Sequence, residues 1–417
     1  MINENSLAAV EAANFSKKFC KPLYDTYNFS QIPHSILPLL EKGVEGGLPS
    51  DVFGGAEDTF DHVVLLFLDG FGWRFFEKFK EEIPLLKRWE EEGVISKLTS
   101  MFPSTTAAHV TCIHTGLTPS QSGLYEWFIY EPKLNEVIAS LLFSPAGVHK
   151  IGELASTSLL PSELYPQETI YQQLNDRGVT STVVQSESIL RSPYSEWVLQ
   201  GARTVGYKDV SEGLDLLFSS LSQKSYGYFY FSDIDTVGHR KGVDSAKYAE
   251  TIHTLFAELE TFWKKLPSRT ALIVTADHGM VEVNPKTTTY INEKVENIEK
   301  YLLTNQKGYP LVPAGSCRDF FLHVQQERMG ELKEVLEIFL EGIAEVYKTK
   351  DLIDVGFFGP GRPTENFLSR VGNLVILPYQ NEAVWWHVKH KYEQNFYGAH
   401  GGLTREEMEI PFIFLPK

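Results

Sequence analysis

His62 to Leu68 (HVVLLFL) is an apolar run of strand length that stops at Asp69-Gly70. A half-solvated strand alternates apolar and polar residues, so a run without alternation reads as a strand covered on both faces. The pattern recurs. Tyr226 to Phe231 (YGYFYF) ends at Ser232-Asp233, and Ala271 to Thr275 (ALIVT) ends just before Asp277-His278-Gly279. Val94 to Leu98 and Thr180 to Gln185 read as further strands. Between them lie helical stretches. Phe75 to Glu92 mixes charged and apolar residues at helical spacing, and Glu168 to Asp176 reads as a helix stopped by Gly178. Asp244 reads as the cap of a long helix whose Ile252, Leu255, Phe256, Leu259, Phe262 and Leu266 share one face. Strands alternating with helices predict an α/β fold with a mostly parallel central sheet flanked by helices.

The pattern changes between 281 and 390. Asp319 to Val324 and Asn373 to Leu377 read as strands and Gln326 to Leu340 as a helix, with a Gly/Pro-rich loop from Gly356 to Pro363. This segment is expected to be an inserted, smaller α+β subdomain. Residues 61–280 and 391–417 would form the catalytic core, with Ile410 to Leu415 returning as a strand. Residues 1–60 would be an N-terminal extension packed on it, with loops at Lys42 to Ser50 and Val52 to Ala56.

Composition excludes several classes. The 417 residues carry 38 Lys plus Arg against 54 Asp plus Glu, a net charge of −16, which argues against binding a nucleic-acid polymer. Cys20, Cys112 and Cys317 have neither disulfide nor metal spacing. No run approaches the eighteen apolar residues of a membrane span, and the N-terminus lacks a basic start followed by an apolar core. The expectation is a cytoplasmic protein without a membrane partner. Its oligomeric state is open.

Five short segments place reactive residue types just beyond a strand or at a helix start. They are Asp69 in FLDGFGW, Thr105-Thr106 in FPSTTAAHVTCIHTGL, Asp235 and His239 in SDIDTVGHRKG, Asp277-His278 in VTADHGM, and His400 in YGAHGGLTREEM. In open α/β sheets the carboxyl ends of strands converge on the site, so these segments can meet. Three Asp and three His are ligand types that suit zinc or manganese. A threonine at the start of the helix beginning near Ala107 would face an anion across free backbone N–H groups.

The ordered set of motifs resembles the alkaline phosphatase superfamily, and within it most closely the nucleotide pyrophosphatase/phosphodiesterase group. The resemblance runs from Asp69 to His400. It implies that Asp235, His239 and His400 hold one divalent metal and that Asp69, Asp277 and His278 hold a second, with Thr106 bridging them. It implies Zn2+, or alternatively Mn2+. It further implies that Thr106, nine positions before Thr115 of the Thr-Gly pair, is the nucleophile and forms a covalent phospho-enzyme. The substrate would be a small phosphate ester, with a nucleotide or diester first.

The chain departs from that pattern. Trp127 stands at the offset where the group has an Asn, Ser122-Gly123 replaces a His-Gly, and His109 replaces an Asn after the nucleophile. Trp127, Tyr125 and His109 are therefore the candidate substrate contacts, although packing is the plainer reading of the aromatic pair. Arg318 and Arg362 read as surface residues rather than phosphate clamps. A phosphomonoesterase or phosphomutase of the same superfamily stays open. So does a non-catalytic module that kept the metal scaffold.

Overall fold

A computed structural model of the chain describes residues 1–55 and 59–417. Its centre is a seven-stranded sheet in the order Val94–Thr99, Glu409–Pro416, Thr270–Thr275, His62–Leu68, Ser225–Phe231, Thr180–Ser186, Arg203–Tyr207. The strand His62–Leu68 pairs in parallel with Ser225–Phe231 and Thr270–Thr275, and its residues Val63 to Leu68 are buried. The expected mostly parallel sheet is therefore present. The one strand running against the rest is Glu409–Pro416, antiparallel to both neighbours. Its reversed direction matters for function. It starts at the edge where the parallel strands end, so the loop before it, containing His400, reaches the same edge as Asp69 and Asp277.

Helices cover the sheet. Helix Ala246–Lys265 buries Ile252, Leu255, Phe256, Leu259 and Phe262, each worth about 1.5–3 kcal/mol of apolar burial. Its cap is Ser245, which accepts from the Tyr248 N–H, and not Asp244, which instead pairs with Lys78. The expected single helix from Phe75 to Glu92 is two, Trp73–Phe79 and Pro84–Glu92. Pro84 pushes Ile83 into an extended conformation and has no N–H to continue the ladder. The N-terminal residues pack on the sheet edge: the Asn3 N–H donates to the Ile95 carbonyl and Ile95 N–H to that of Met1. Ser50–Phe53 forms a 3-10 turn where a loop was expected, and Ala56 of that expected loop lies outside the described residues.

A second seven-stranded sheet runs Ala344–Lys348, Leu374–Pro378, Phe320–Leu322, Ala314–Gly315, Phe128–Glu131, Glu136–Ala139, Ser144–Pro145. It is antiparallel at every pairing. The segment 281–390 supplies its first four strands. The last three come from 128–145, joined through the pair Gly315 and Phe128. The second layer is thus shared between the expected insertion and the stretch after helix Thr106–Thr115.

Arg318 fastens that layer to the His400 loop. It is fully buried, not on the surface, and its Nε and Nη2 each donate to Glu407 at 2.9 Å. Glu407 also accepts from the Gly402 N–H at 3.0 Å and the Thr404 hydroxyl at 2.7 Å. Removing one partner strands a buried charge, so Arg318→Ala is expected to lower unfolding free energy by about 3–5 kcal/mol. Urea unfolding measures the loss, and a change below 1 kcal/mol would rank the pair with exposed bridges.

Candidate metal and nucleophile site

Each candidate ligand is placed by a strand end or a helix face. Asp69 follows the strand His62–Leu68 and Asp277-His278 follow Thr270–Thr275. Asp235 and His239 lie one turn apart on helix Asp233–Lys241, a spacing that puts both on one face. Two clusters result, Asp235-His239-His400 and Asp69-Asp277-His278, with the ligand atoms of each within 4.8 Å of one another. The rings of His278 and His400 stack at 3.6 Å between centroids, so the clusters adjoin.

The three imidazoles share one orientation. Nδ1 of His278 lies 2.9 Å from the Gly279 carbonyl, that of His239 2.7 Å from Gly398, and that of His400 3.0 Å from Ser104. A carbonyl only accepts, so each Nδ1 carries a proton and each ring turns its Nε2 into the site; His278 and His400 present a lone pair there, while Asp235 favours the charged form of His239 in the metal-free chain. The Nε2 atoms of His239 and His400 are 3.2 Å apart, and that of His239 is 3.2 Å from Asp235 Oδ1. Asp235 Oδ1 and Asp277 Oδ2 are buried without a hydrogen-bond partner. Lone pairs converging on lone pairs are unfavourable without a cation among them. The donor set therefore fits two divalent metals.

The two clusters differ electrostatically: despite burial, Asp235 and His239 hold each other in the charged form, the carboxyl below and the imidazole above its ordinary value. Burial, then the charges of Asp277 and Asp235, pushes the Asp69 carboxyl well above its ordinary range. Burial lifts Asp277 to about 7. Burial also holds His278 and His400 well below the usual imidazole value, so both stay neutral, as ligands must. Tyr230, whose role the sequence does not reveal, donates to Asp69 Oδ2 and fixes that carboxylate.

Thr106 is the hydroxyl that reaches this centre. Its Oγ1 lies 3.2 Å from His278 Nε2 and 3.4 Å from Asp69 Oδ1. It is the first residue of helix Thr106–Thr115, with Thr105 as N-cap residue, so the helix starts one residue before Ala107. The ladder opens with the bond from the His109 N–H to the Thr105 carbonyl, so the earlier N–H groups face the site end.

Two of the candidate substrate contacts are elsewhere engaged. His109 is fully buried; its Nδ1–H donates to Thr105 O at 2.7 Å and its Nε2 accepts from the Met101 N–H at 3.0 Å. It braces the turn that carries Thr106 and is not free for a phosphate. Tyr125 is also fully buried, packed edge-on against Phe321 and Phe367 with its hydroxyl on the Arg370 carbonyl. Trp127 is exposed. Phe396, which the sequence reading passed over, is 46% exposed with its ring 4.6 Å from that of His239. An exposed aromatic beside a site histidine is the better candidate for the rim.

A parallel-centred α/β sheet carrying two Asp/His clusters and a helix-starting threonine at its carboxyl edge defines an alkaline phosphatase-like protein. The model of the type I phosphodiesterase / nucleotide pyrophosphatase family matches residues 63–403, and the chain belongs to that family. Human ectonucleotide pyrophosphatase/phosphodiesterase family member 5 is 22% identical over 365 residues, 85% of this chain and 68% of that protein. Venom phosphodiesterase CdcPDE of Crotalus durissus collilineatus is 23% identical over 251 residues, 58% of this chain but only 29% of the venom protein. Among solved structures, murine ectonucleotide pyrophosphatase/phosphodiesterase 5 is similar with a TM-score of 0.63 at 16% identity, covering 85% of this chain and 88% of its own. An inactive threonine-to-alanine form of it, solved in complex with AMP, has the same TM-score of 0.63 and 16% identity, over 85% and 87% of the two chains. Phosphonoacetate hydrolase from Sinorhizobium meliloti 1021, solved with phosphonoformate, has a TM-score of 0.60 at 17% identity over 84% and 89% of the two chains.

Proposed function

We propose that this chain is a metal-dependent phosphodiesterase or nucleotide pyrophosphatase working through a phospho-Thr106 intermediate. The observation that carries this reading is the Thr106 hydroxyl, set within 3.4 Å of both Asp69 and His278 at the start of a helix. Family membership and the AMP complex of the murine relative support a nucleotide or similar small ester as substrate. Asp235, His239 and His400 would hold one metal, and Asp69, Asp277 and His278 the other. The mixed imidazole and carboxylate donors favour zinc.

Bound there, two divalent cations supply the positive charge that offsets the phosphoryl oxygens and favours ionisation of the neighbouring hydroxyl. The chain's own groups do the rest. The N-terminal amides of helix Thr106–Thr115 receive a phosphoryl oxygen. Thr106 Oγ1 attacks phosphorus as the P–O bond to the leaving group breaks; that oxygen departs with the bonding pair and takes a proton. Water then attacks phosphorus, the P–Oγ1 bond breaks, and the threonine hydroxyl is restored with a proton from the water. Splitting the displacement in two lowers each barrier. His109 and the Nδ1–H bonds of the three histidines keep these groups in place.

Charge decides between ester classes. Arg318 is consumed by Glu407, so it cannot clamp a phosphate. Two cations and a helix N-terminus match the single negative charge of a diester better than the double charge of a monoester. With zinc as the added metal, kcat/KM for an aryl or nucleotide diester is expected to exceed that for the matching monoester at least about tenfold, or about 1.4 kcal/mol. Parallel assays of bis-aryl and mono-aryl phosphates test this. Equal efficiencies, or a monoester preference, would overturn the diester assignment and leave the nucleophile standing.

A further inference from the structure

The outer face of the second sheet carries a cavity that the proposed reaction does not use. It measures about 400 Å³ and lies between strand Glu136–Ala139, the turn Pro145-Ala146, the hairpin 305–312 and the strap 386–392. Side chains alternate along a strand, so Val137 faces this cavity while Ile138 joins the main core. Neither Thr106 nor any of the six candidate metal ligands lines it. Its volume falls within the range of small-molecule sites, about 300–1,000 Å³.

Its walls are fixed by the chain itself. The Asn305 side chain accepts from the N–H groups of Lys307 and Tyr309, both at 3.0 Å, and closes the hairpin. The Tyr392 hydroxyl donates to the Ala146 carbonyl at 3.0 Å and clamps the strap to the turn. At the other end of the strap, Asn292 exchanges two hydrogen bonds with the His387 backbone. Val137, Ala146, Leu311 and Tyr392 pack together as the floor, and Trp386 is 5% exposed. At the mouth, Tyr309 is 67% exposed and Val388 39%. Tyr309, Tyr392 and Trp386 thus set rings around one concave, largely apolar space, and flat rings pack well against flat rings.

Charge narrows the class of ligand. The chain carries a net charge of −16, yet two lysines and a single acid line this cavity. The acid, Glu136, is neutralised by Lys307 at 3.1 Å. Lys391 Nζ lies 4.8 Å from the centroid of the Tyr392 ring. Its stem crosses Gly147, where an added Cβ would meet Lys391 Cε at 2.5 Å. Packing therefore places this ammonium beside the cavity, and among the described residues no carboxylate pairs with it. An apolar cavity lined by rings, with one spare positive charge at its edge, suits a planar anion.

We propose that this cavity binds a small aromatic anion, an aryl carboxylate, sulfonate or phosphate, whose ring enters among Tyr309, Tyr392 and Trp386 and whose charge meets Lys391. The site is separate from the metal centre, so it stands or falls independently of the phospho-Thr106 reading.

The test uses the full, zinc-loaded chain at low salt, with 8-anilinonaphthalene-1-sulfonate as the fluorescent probe. One saturable site per chain is expected. N-phenyl-1-naphthylamine, the same ring system without the sulfonate, is the uncharged comparison. Lys391→Glu should raise the dissociation constant of the sulfonate at least about fivefold, as reversal of an exposed charge does, and leave that of the neutral probe within about twofold. Tyr309→Ala should weaken both probes at least about threefold, the worth of one aromatic contact. Inorganic phosphate, a probe of the metal centre, should not displace the sulfonate at constant ionic strength. No saturable binding, unchanged affinity for the sulfonate in either variant, or displacement by phosphate would each overturn the proposal. Equal loss of both probes in Lys391→Glu would overturn the role of the anion. Both altered side chains are exposed, and Lys391→Gln, which keeps the stem, repeats the test should Lys391→Glu fail to fold.

Discussion

Thr106→Ala is expected to lower kcat by at least about a thousandfold, because it removes the atom to which the phosphoryl group would be transferred. The loss should fall on kcat more than on KM, since the six ligand residues and the helix N-terminus remain to bind the ester. Thr106→Ser keeps a hydroxyl at the same place and should retain a measurable part of the rate, lowered because the methyl group that limits its rotamers is gone. Thr105→Ala is the control. The hydrogen bonds to Asp69 and His278 belong to the Thr106 hydroxyl, so the loss of its neighbour should cost less than about tenfold. Acid-quenched intact-mass spectrometry should find a phosphoryl adduct on the unaltered chain and none on Thr106→Ala. If Thr105→Ala proved the more damaging change, the nucleophile would be the neighbouring residue. If neither change mattered, direct attack by water would replace the covalent route.

How far the sequence could be read depended on what each element has on its two sides. The central strands were legible because both faces are covered, which leaves an unbroken apolar run such as Val63 to Leu68. The edge strand Arg203–Tyr207 was not, because four of its five residues are exposed or half-exposed and no apolar pattern is imposed on it. The second sheet escaped in part for another reason. The pairing of Gly315 with Phe128 joins residues far apart in sequence, and a strand of four residues such as Phe128–Glu131 leaves only a weak local trace. Among site residues, the six candidate ligands were visible as Asp and His just past strands or near the start of a helix. Tyr230 was not. Taken singly, a tyrosine in an aromatic strand is unremarkable, and only the fold sets it against Asp69. His109 shows the opposite error. A histidine three residues after Thr106 looks like a phosphate contact, but on a helix it lies over the preceding turn, where the Thr105 carbonyl and the Met101 N–H claim both nitrogens.

Removing divalent metal should abolish turnover and also destabilise the fold, and the second effect should depend on pH in a definite direction. Asp69 and Asp277 are buried side by side, and both carboxyls are pushed up, first by burial; Asp277 reaches about 7 against an ordinary 3.8. A carboxyl whose pKa is higher in the folded chain than in the unfolded one binds more protons when folded. Stability is therefore full below the ordinary carboxylate range and is lost as pH rises through the folded value. In the metal-free chain the contribution of this pair therefore falls as pH rises from the ordinary carboxylate range through about 7, where Asp277 titrates, while His278 and His400, held low by burial, act in the opposite direction below the ordinary imidazole value. Bound cations reverse the preference by favouring the ionised carboxylates and the neutral imidazoles, so the metal-loaded chain should hold its melting temperature across the same range. Zinc present at about a thousandfold over its dissociation constant adds about 4 kcal/mol. The measurement is a pair of melting curves, chelated and zinc-loaded, taken from pH 5 to pH 8. The gap between them should widen as pH rises, and zinc added back should restore both stability and turnover. A gap that stayed constant or narrowed would mean that Asp69 and Asp277 carry no uncompensated charge in the metal-free chain, and the case for a metal between them would lose its electrostatic basis.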